Sequence, residues 1–375
     1  MQILIFSAEN IAQDKIPSQI RQNVQFDEFL FNKTPHLFLQ INNQNNVNNT
    51  TFFSLFLEEN DNIYAKFNVF LKEENNPKTA SSPLKMPFGS IEFSENLSYE
   101  NLHFFVNEIQ KFCQEKFKTT PSPSLKVGEQ KVPLLFKEGL GVVKITSYPF
   151  SYAPEQAHTL TQVLLQQNFA IKNSEITHFI EVNKQSFSEN ISPAAQRRLK
   201  KCQKNPNFVF EKYILSDDLD EKRKQLNTCY AIFIENRQRK NYPISIDFES
   251  LFRLFCEFPD EHTIFVVKDL TENSSENSDE NSNEIFTKII SFSVAIRINK
   301  EILYHFIPAD VAGYEAFSPM VFLINGMYEF CQKEEIKILD LGISTDNGTP
   351  NYGLIRFKKS LGAKSSLKLT FEKEF

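Results

Sequence analysis

The sequence predicts an α/β protein of two domains in tandem, each a central mixed sheet flanked by helices. At 375 residues the chain exceeds what one hydrophobic core usually serves, so it should divide. Strand-like segments alternate with helical ones instead of grouping by type, which suits a mixed sheet with helices on its faces. A comparable order returns in the second half, and the halves meet near residues 183–191. The expected domains are residues 1–185 and 186–375.

Residues 52–57, 63–71 and 90–93 read as strands and residues 99–116 as a helix. A strand at 142–146, a helix at 154–167 and a strand at 176–182 follow. In the second half, strands at 208–213 and 263–268 bracket helices at 218–239 and 247–257. Within a strand over 285–298, Ile290, Phe292, Val294, Ile296 and Ile298 share one face while Ser291, Ser293 and Arg297 take the other, so this strand should be half-buried. Residues 302–307 are its hairpin partner. A helix over 319–333, a strand over 336–341, a short helix over 354–361 and a strand near 366–371 complete the order. Two polar stretches, 42–49, almost all Asn, and 271–284, have too little apolar surface to bury and are expected as mobile loops, the second a disordered insertion between strands.

The composition narrows the class. Hydrophobic residues at 41% supply a core, charged residues at 23% are too many for a membrane-spanning protein, and no apolar run approaches a bilayer span. Residues 1–10 lack a basic leader and a small-residue cleavage site, so they read as a strand rather than a signal peptide, and the chain as cytoplasmic. The five cysteines are odd in number and widely spaced, as reduced, mostly buried thiols are. A net charge of −6 argues against a protein that coats DNA through its overall field, although a local basic site is compatible with it. The six histidines form no ligand pattern, so no metal is expected, and neither a nucleophile elbow nor a P-loop is present.

Four segments have chemistry to offer. The tract Tyr304-His305-Phe306-Ile307-Pro308-Ala309-Asp310 runs on to Phe317-Ser318-Pro319, where Ser318 reads as an N-cap and Pro319 as the first helical residue. Such a helix start can receive a pyrophosphate, or Ser318 can simply cap a core helix striped with Met320, Leu323, Ile324, Met327 and Cys331. In Asp340-Leu341-Gly342-Ile343-Ser344-Thr345 a carboxylate ends a strand, which is where open α/β sheets bind ligands; the competing reading is that Asp340 only bonds the turn. At 100° per residue, Lys358 falls in the apolar cluster of Leu354, Phe357 and Leu361, while Arg356 and Lys359 point away. A lysine so placed must snorkel, pair or serve a site. Finally, Ser192-Pro193 opens a helix with the run Gln196-Arg197-Arg198-Leu199-Lys200-Lys201-Cys202-Gln203-Lys204, whose Arg197, Lys200, Lys201 and Lys204 share a face without an acid. That face is either solvated or a site for a phosphate-rich donor.

The stretch from Tyr304 through Ser318-Pro319 and Asp340-Leu341-Gly342, with Gly353-Leu354-Ile355-Arg356-Phe357-Lys358-Lys359-Ser360-Leu361-Gly362, resembles the acyltransferase domain of the Fem-like (FemAB-type) branch of the GNAT N-acyltransferase superfamily. The basic run at 197–201 is similar to that family's Arg-Arg-x-x-Lys helix. The resemblance covers residues 192–375 and is weak before them. It implies two fused GNAT-like domains, the first a degenerate scaffold or acceptor domain, and transfer of an acyl or aminoacyl group to a small-molecule or peptide amine. The donor it implies is acyl-coenzyme A or an aminoacyl-tRNA. The family's Phe-Lys pair matches Phe357 and Lys358, which with Asp340 and Tyr304 become the catalytic candidates; Ser318, Arg197, Arg198, Lys200, Lys201 and Arg356 become the donor-binding ones. One departure stands out. Gly313-Tyr314-Glu315-Ala316-Phe317-Ser318 replaces the glycine-rich loop of coenzyme A-using members, so a catalytically silent ligand-binding protein is the alternative.

Overall fold

A computed structural model describes residues 1–12, 23–42, 50–72, 78–118, 126–127, 130–131, 141–271 and 288–375. The stretch 43–49 and most of the expected loop 271–284, from residue 272, lie outside them. The chain forms two compact units, Met1–Ile176 with Ser366–Phe375, and Thr177–Ser365. The boundary expected at 185/186 thus falls inside the second unit.

The elements in chain order are β1 (Gln2–Ser7), α1 (Ala8–Ala12), α2 (Thr34–Asn42), β2 (Thr50–Glu59), β3 (Asn62–Lys72), β4 (Thr79–Ser82), β5 (Ile91–Phe93), α3 (Tyr99–Lys118), β6 (Lys126–Val127), β7 (Gln130–Lys131), β8 (Val142–Thr146), α4 (Pro154–Gln166) and β9 (Ala170–Glu181). They continue with α5 (Phe187–Asn190), α6 (Pro193–Gln203), β10 (Phe208–Tyr213), α7 (Leu219–Lys240), α8 (Phe248–Glu257), β11 (His262–Asp269), β12 (Lys288–Asn299), β13 (Ile302–Asp310) and α9 (Pro319–Lys333). Last come β14 (Ile338–Ile343), β15 (Thr345–Asp346), β16 (Thr349–Pro350), α10 (Tyr352–Ser360) and β17 (Lys364–Glu374).

The first unit orders its main strands β1-β2-β3-β4-β8-β17, with β4 and β8 parallel and the other neighbours antiparallel. The second unit orders its strands β10-β11-β12-β13-β14-β9, again with one parallel pair, β13 and β14. Four antiparallel strands, one parallel step and a closing antiparallel strand therefore recur in both. In each unit a helix joins the parallel pair, α3 between β4 and β8 and α9 between β13 and β14, as a crossover requires.

In the second unit β11 shows how the sheet is covered. Phe265 and Val267 join a core with Leu199 of α6 and Leu323 and Met327 of α9, while Ile264 and Val266 face a separate core with Phe233 of α7 and Leu251 of α8. Helices thus cover both faces. This corrects the expected half-buried strand: Ser291 and Ser293 of β12 are fully buried, because α6 and α9 lie over the face that the sequence pattern would leave to water.

Helix starts follow local chemistry, with one exception. Ser192, Asp218, Asp247 and Asn351 each accept a hydrogen bond from an amide of the helix they precede. Ser318 does not. It adopts a left-handed conformation (φ 56°), and its hydroxyl donates backward to Glu315 O at 3.3 Å. The turn before it sets this geometry, since Tyr314 O accepts from the amides of both Phe317 and Ser318. The expected cap at Ser318 is therefore corrected, whereas the expected stripe from Met320 to Cys331 is buried throughout.

Candidate functional site

Strands β13 and β14 pair only from Ile302↔Ile338 to Tyr304↔Asp340 and then part. Tyr304 and Asp340, directly opposite each other, share a face at the point of divergence. Two residues on, Gly342 takes φ +75°, and a Cβ there would come within 3.2 Å of the Tyr304 ring. Asp340 Oδ1 accepts from the Gly342 amide at 2.7 Å, which fixes this turn.

The short helix α10 brings Lys358 to the same place. Asn351 caps it by accepting from Leu354 N at 3.0 Å and donates its own amide to the Tyr242 hydroxyl at 3.1 Å. Lys358 is the buried residue of the helix, whereas Arg356 and Lys359 are exposed. Its Nζ donates to Gly342 O at 2.9 Å and Ile343 O at 2.7 Å. An ammonium has three donors, and the third finds no acceptor among the described residues. Burial lowers the Lys358 pKa to about 7, with the Asp340 carboxylate opposing that shift. The same carboxylate adds to burial in raising the Tyr304 phenol above its ordinary range.

Two imidazoles feel the charge of this lysine. His178 of β9 uses both ring nitrogens, Nδ1 with Ser344 Oγ at 2.8 Å and Nε2 with Ser365 Oγ at 3.3 Å. His305 of β13 bonds Ser293 Oγ through Nδ1 at 2.7 Å. Burial, reinforced by the Lys358 charge, lowers His178 to about 4 and His305 to about 3, so both rings are neutral at physiological pH. From α7, Arg237 stacks over the Tyr242 ring at 5.7 Å, and its charge opposes the rise of the Tyr304 phenol. None of these four residues was assigned from the sequence. His305 stood in a quoted tract, but its partner depends on the β12–β13 register, and His178 meets Ser344 only because β9 pairs with β14.

No family model and no curated protein sequence matches the chain. Among solved structures, the crystal structure of FemX is similar over 99% of this chain and 97% of its own, with a TM-score of 0.64 at 11% identity. A conserved protein of unknown function from Bacteroides thetaiotaomicron is similar over 99% of both chains, with a TM-score of 0.52 at 12% identity. The chain has the fold of FemX.

On this Fem-like fold Phe357 is half-buried against the core of α6 and α9, beside Lys358. The structure thus gathers Lys358, Asp340 and Tyr304, with Phe357 at their edge. The donor-binding candidates fall into separate places. Lys201 Nζ donates to Ala316 O at 2.8 Å and lies 4.8 Å above the Phe317 ring, so α6 docks on the turn before Ser318. Arg197, Arg198 and Lys200 are exposed, and no carboxylate among the described residues pairs with them. Lys200 also lines a cavity of about 190 Å3 with Gln203, Asn325 and Glu329, none of which adjoins Lys358. Arg356 projects outward from α10.

The turn before α9 carries a carboxylate. Glu315 accepts from the Gly313 amide at 2.9 Å and from Arg239 at 2.8 Å. The turn's own carboxylate thus engages the Gly313 amide, and the segment lacks the run of glycines from which the sequence departs. Among the described residues no cluster of His, Cys, Asp and Glu could hold a metal ion, and no helix is long and apolar enough to cross a membrane.

Proposed function

We propose that the chain transfers an acyl or aminoacyl group from an activated donor to an amine, with Lys358 at the reaction centre. One observation carries the reading: a buried ammonium, held by two carbonyls where β13 and β14 part, keeps one N–H unused. The amine nitrogen attacks the donor carbonyl carbon, and the negative charge that develops on the carbonyl oxygen is met by the spare N–H. In so dry a site such a donor is worth about 10²–10³ in rate. Two main-chain carbonyls fix its direction beforehand, so little reorganisation accompanies the reaction. Asp340 keeps part of the lysine charged near neutral pH, and Tyr304 lines the same gap.

Glu315 on the Gly313 amide weighs for an aminoacyl-tRNA over acyl-coenzyme A as the donor. Exposed Arg197, Arg198, Lys200 and Lys201 then supply cations for its phosphates. The silent-binder reading draws on the same missing run of glycines. Incubating the chain with acyl-coenzyme A or charged tRNA and a panel of amines, and following amide formation by mass spectrometry, separates the readings. Amide formed by the wild type and lost in Lys358→Met supports transfer. Donor binding without turnover across the panel supports the silent binder.

A further inference from the structure

We propose that His305 takes the proton that the attacking amine must lose, with Ser293 selecting the ring tautomer that allows it; this rests on the transferase reading above. His305 is the first residue of β13 beyond the last pair with β14, so it stands where the strands open. A bulge directly follows it. Ala295 of β12 faces His305 and Val294 faces Ile307, which leaves Phe306 as an extra residue. Before the bulge, Leu303 faces the core of α6 and α9; after it, Ile307 and Ala309 face that of α7 and α8. Bulges beside reactive sites commonly re-aim a side chain in this way.

Ser293 is the partner that can select the tautomer. Ser293 is fully buried, and its hydroxyl has two acceptors in reach, Val294 O at 3.1 Å and His305 Nδ1 at 2.7 Å. In the proposed arrangement the hydroxyl proton goes to Val294 O, so the serine oxygen accepts from His305 and Nδ1 carries the hydrogen. Nε2 is left with a lone pair and has no hydrogen-bond partner among the described residues. His178, by contrast, has both nitrogens engaged and serves to hold β9, Ser344 and Ser365 together.

The strength of this base suits a late proton transfer. Burial and the Lys358 charge make the ring too weak to deprotonate a free ammonium ion. Once the amine nitrogen has bonded to the carbonyl carbon it carries positive charge and is strongly acidic, and its proton then passes to Nε2. The tetrahedral species collapses, the bond to the leaving oxygen or sulfur breaks with its electron pair, and His305 returns the proton to that atom. Amide and protonated leaving group are the products, and the ring is neutral again.

The test combines ring 15N spectroscopy with turnover of the chain, its His305→Asn variant and its Ser293→Ala variant. Asparagine keeps a donor for Ser293 and removes Nε2, and its spectrum assigns the His305 signals by difference. The expected results are an Nδ1–H tautomer in the wild type, and in His305→Asn a kcat lowered about 10²–10⁴-fold with donor affinity and melting temperature unchanged. Ser293→Ala should populate the Nε2–H tautomer and lose about tenfold in kcat as the reactive tautomer becomes a minor one. An Nε2–H ring in the wild type, or full turnover in His305→Asn, overturns the assignment. If His305→Asn does not fold, Ser293→Ala decides, since turnover equal to the wild type overturns the role and a fall supports it. A wild type inactive across the whole panel withdraws the transferase reading and the proposal with it, whereas active wild type with active variants removes the proposal alone.

Discussion

A lysine at 6% exposure is costly to charge, and the direction of that cost is measurable. Lys358 has a folded pKa of about 7 against an ordinary 10.5, so between these values the unfolded chain binds more protons. Its contribution to stability is present above pH 10.5 and is lost as pH falls through 7. Urea titrations at pH 6.5, 8 and 9.5 should therefore show wild type gaining on Lys358→Met as pH rises; a constant gap would mean that the lysine is not held in a dry site. Lys358→Met should keep the fold and abolish transfer, while Lys359→Met, at an exposed position, should leave transfer unchanged. Glu92 in the first unit behaves oppositely. Burial, aided by the Glu28 charge, raises it from 4.5 to about 8, and the Phe29 amide donates to its Oε1 at 2.9 Å. The folded state then binds the extra proton, so stability is fully present below pH 4.5 and lost as pH rises through 8. Glu92→Gln keeps the acceptor for Phe29 and should be more stable than wild type at pH 9, with the advantage gone by pH 5; equal stability at pH 9 would show that the carboxyl is solvated.

At the scale of single elements, two glycines and one serine give tests of packing. Gly326 lets α9 lie on the Phe210 ring, which an added Cβ would approach to 2.4 Å, and Gly362, at φ +76°, would bring a Cβ to 2.4 Å from Asn190 O. Alanine at either position should cost about 1–3 kcal/mol by overpacking, read from urea unfolding. Ser318→Gly should do the reverse. Relief of a left-handed backbone, about 1–2 kcal/mol, exceeds the greater freedom of glycine in the unfolded chain, about 0.4–1 kcal/mol, so the melting temperature should rise by a degree or more. No change would mean that the Glu315 contact offsets the strain. On α6, Arg197→Glu with Lys201→Glu should weaken tRNA binding and flatten its salt slope by about 1.5. Most elements were legible because their signals are local: periodicity marked α9 and placed Lys358 inward on α10, and Asp218 and Asp247 announced their helices. Ser192-Pro193 and Ser318-Pro319 read alike in sequence, yet only Ser192 caps, because the turn from Tyr314 decides the backbone at Ser318. The histidines of the site were not legible for a related reason. Ser293 and His305 meet through strand register and a bulge, which alternating hydrophobicity does not encode.

Across the whole molecule, three buried imidazoles of the second unit respond to pH in one direction. His178 and His262 fall to about 4 and His305 to about 3, in each case chiefly through burial. The unfolded chain takes up these protons from about pH 6.5 downward, so stability of this unit should fall as pH drops from 6.5 toward 4. The Glu92 carboxyl imposes no such loss on the first unit in that range. Thermal unfolding at pH 4.5 should accordingly split into two transitions, the earlier one belonging to residues 177–365; a single unchanged transition would show that the rings are charged or exposed in the folded state. A different consequence follows from β17, which pairs Thr370–Glu374 with Val142–Thr146 and places Leu369 and Phe371 in the core of the first unit. The first unit is the first to be synthesised, yet the strand that closes β8 is made only after all of the second. During translation β8 therefore waits with an open edge, and a message cut short before residue 366 should yield a product whose later half is sound and whose earlier half is marked for proteolysis.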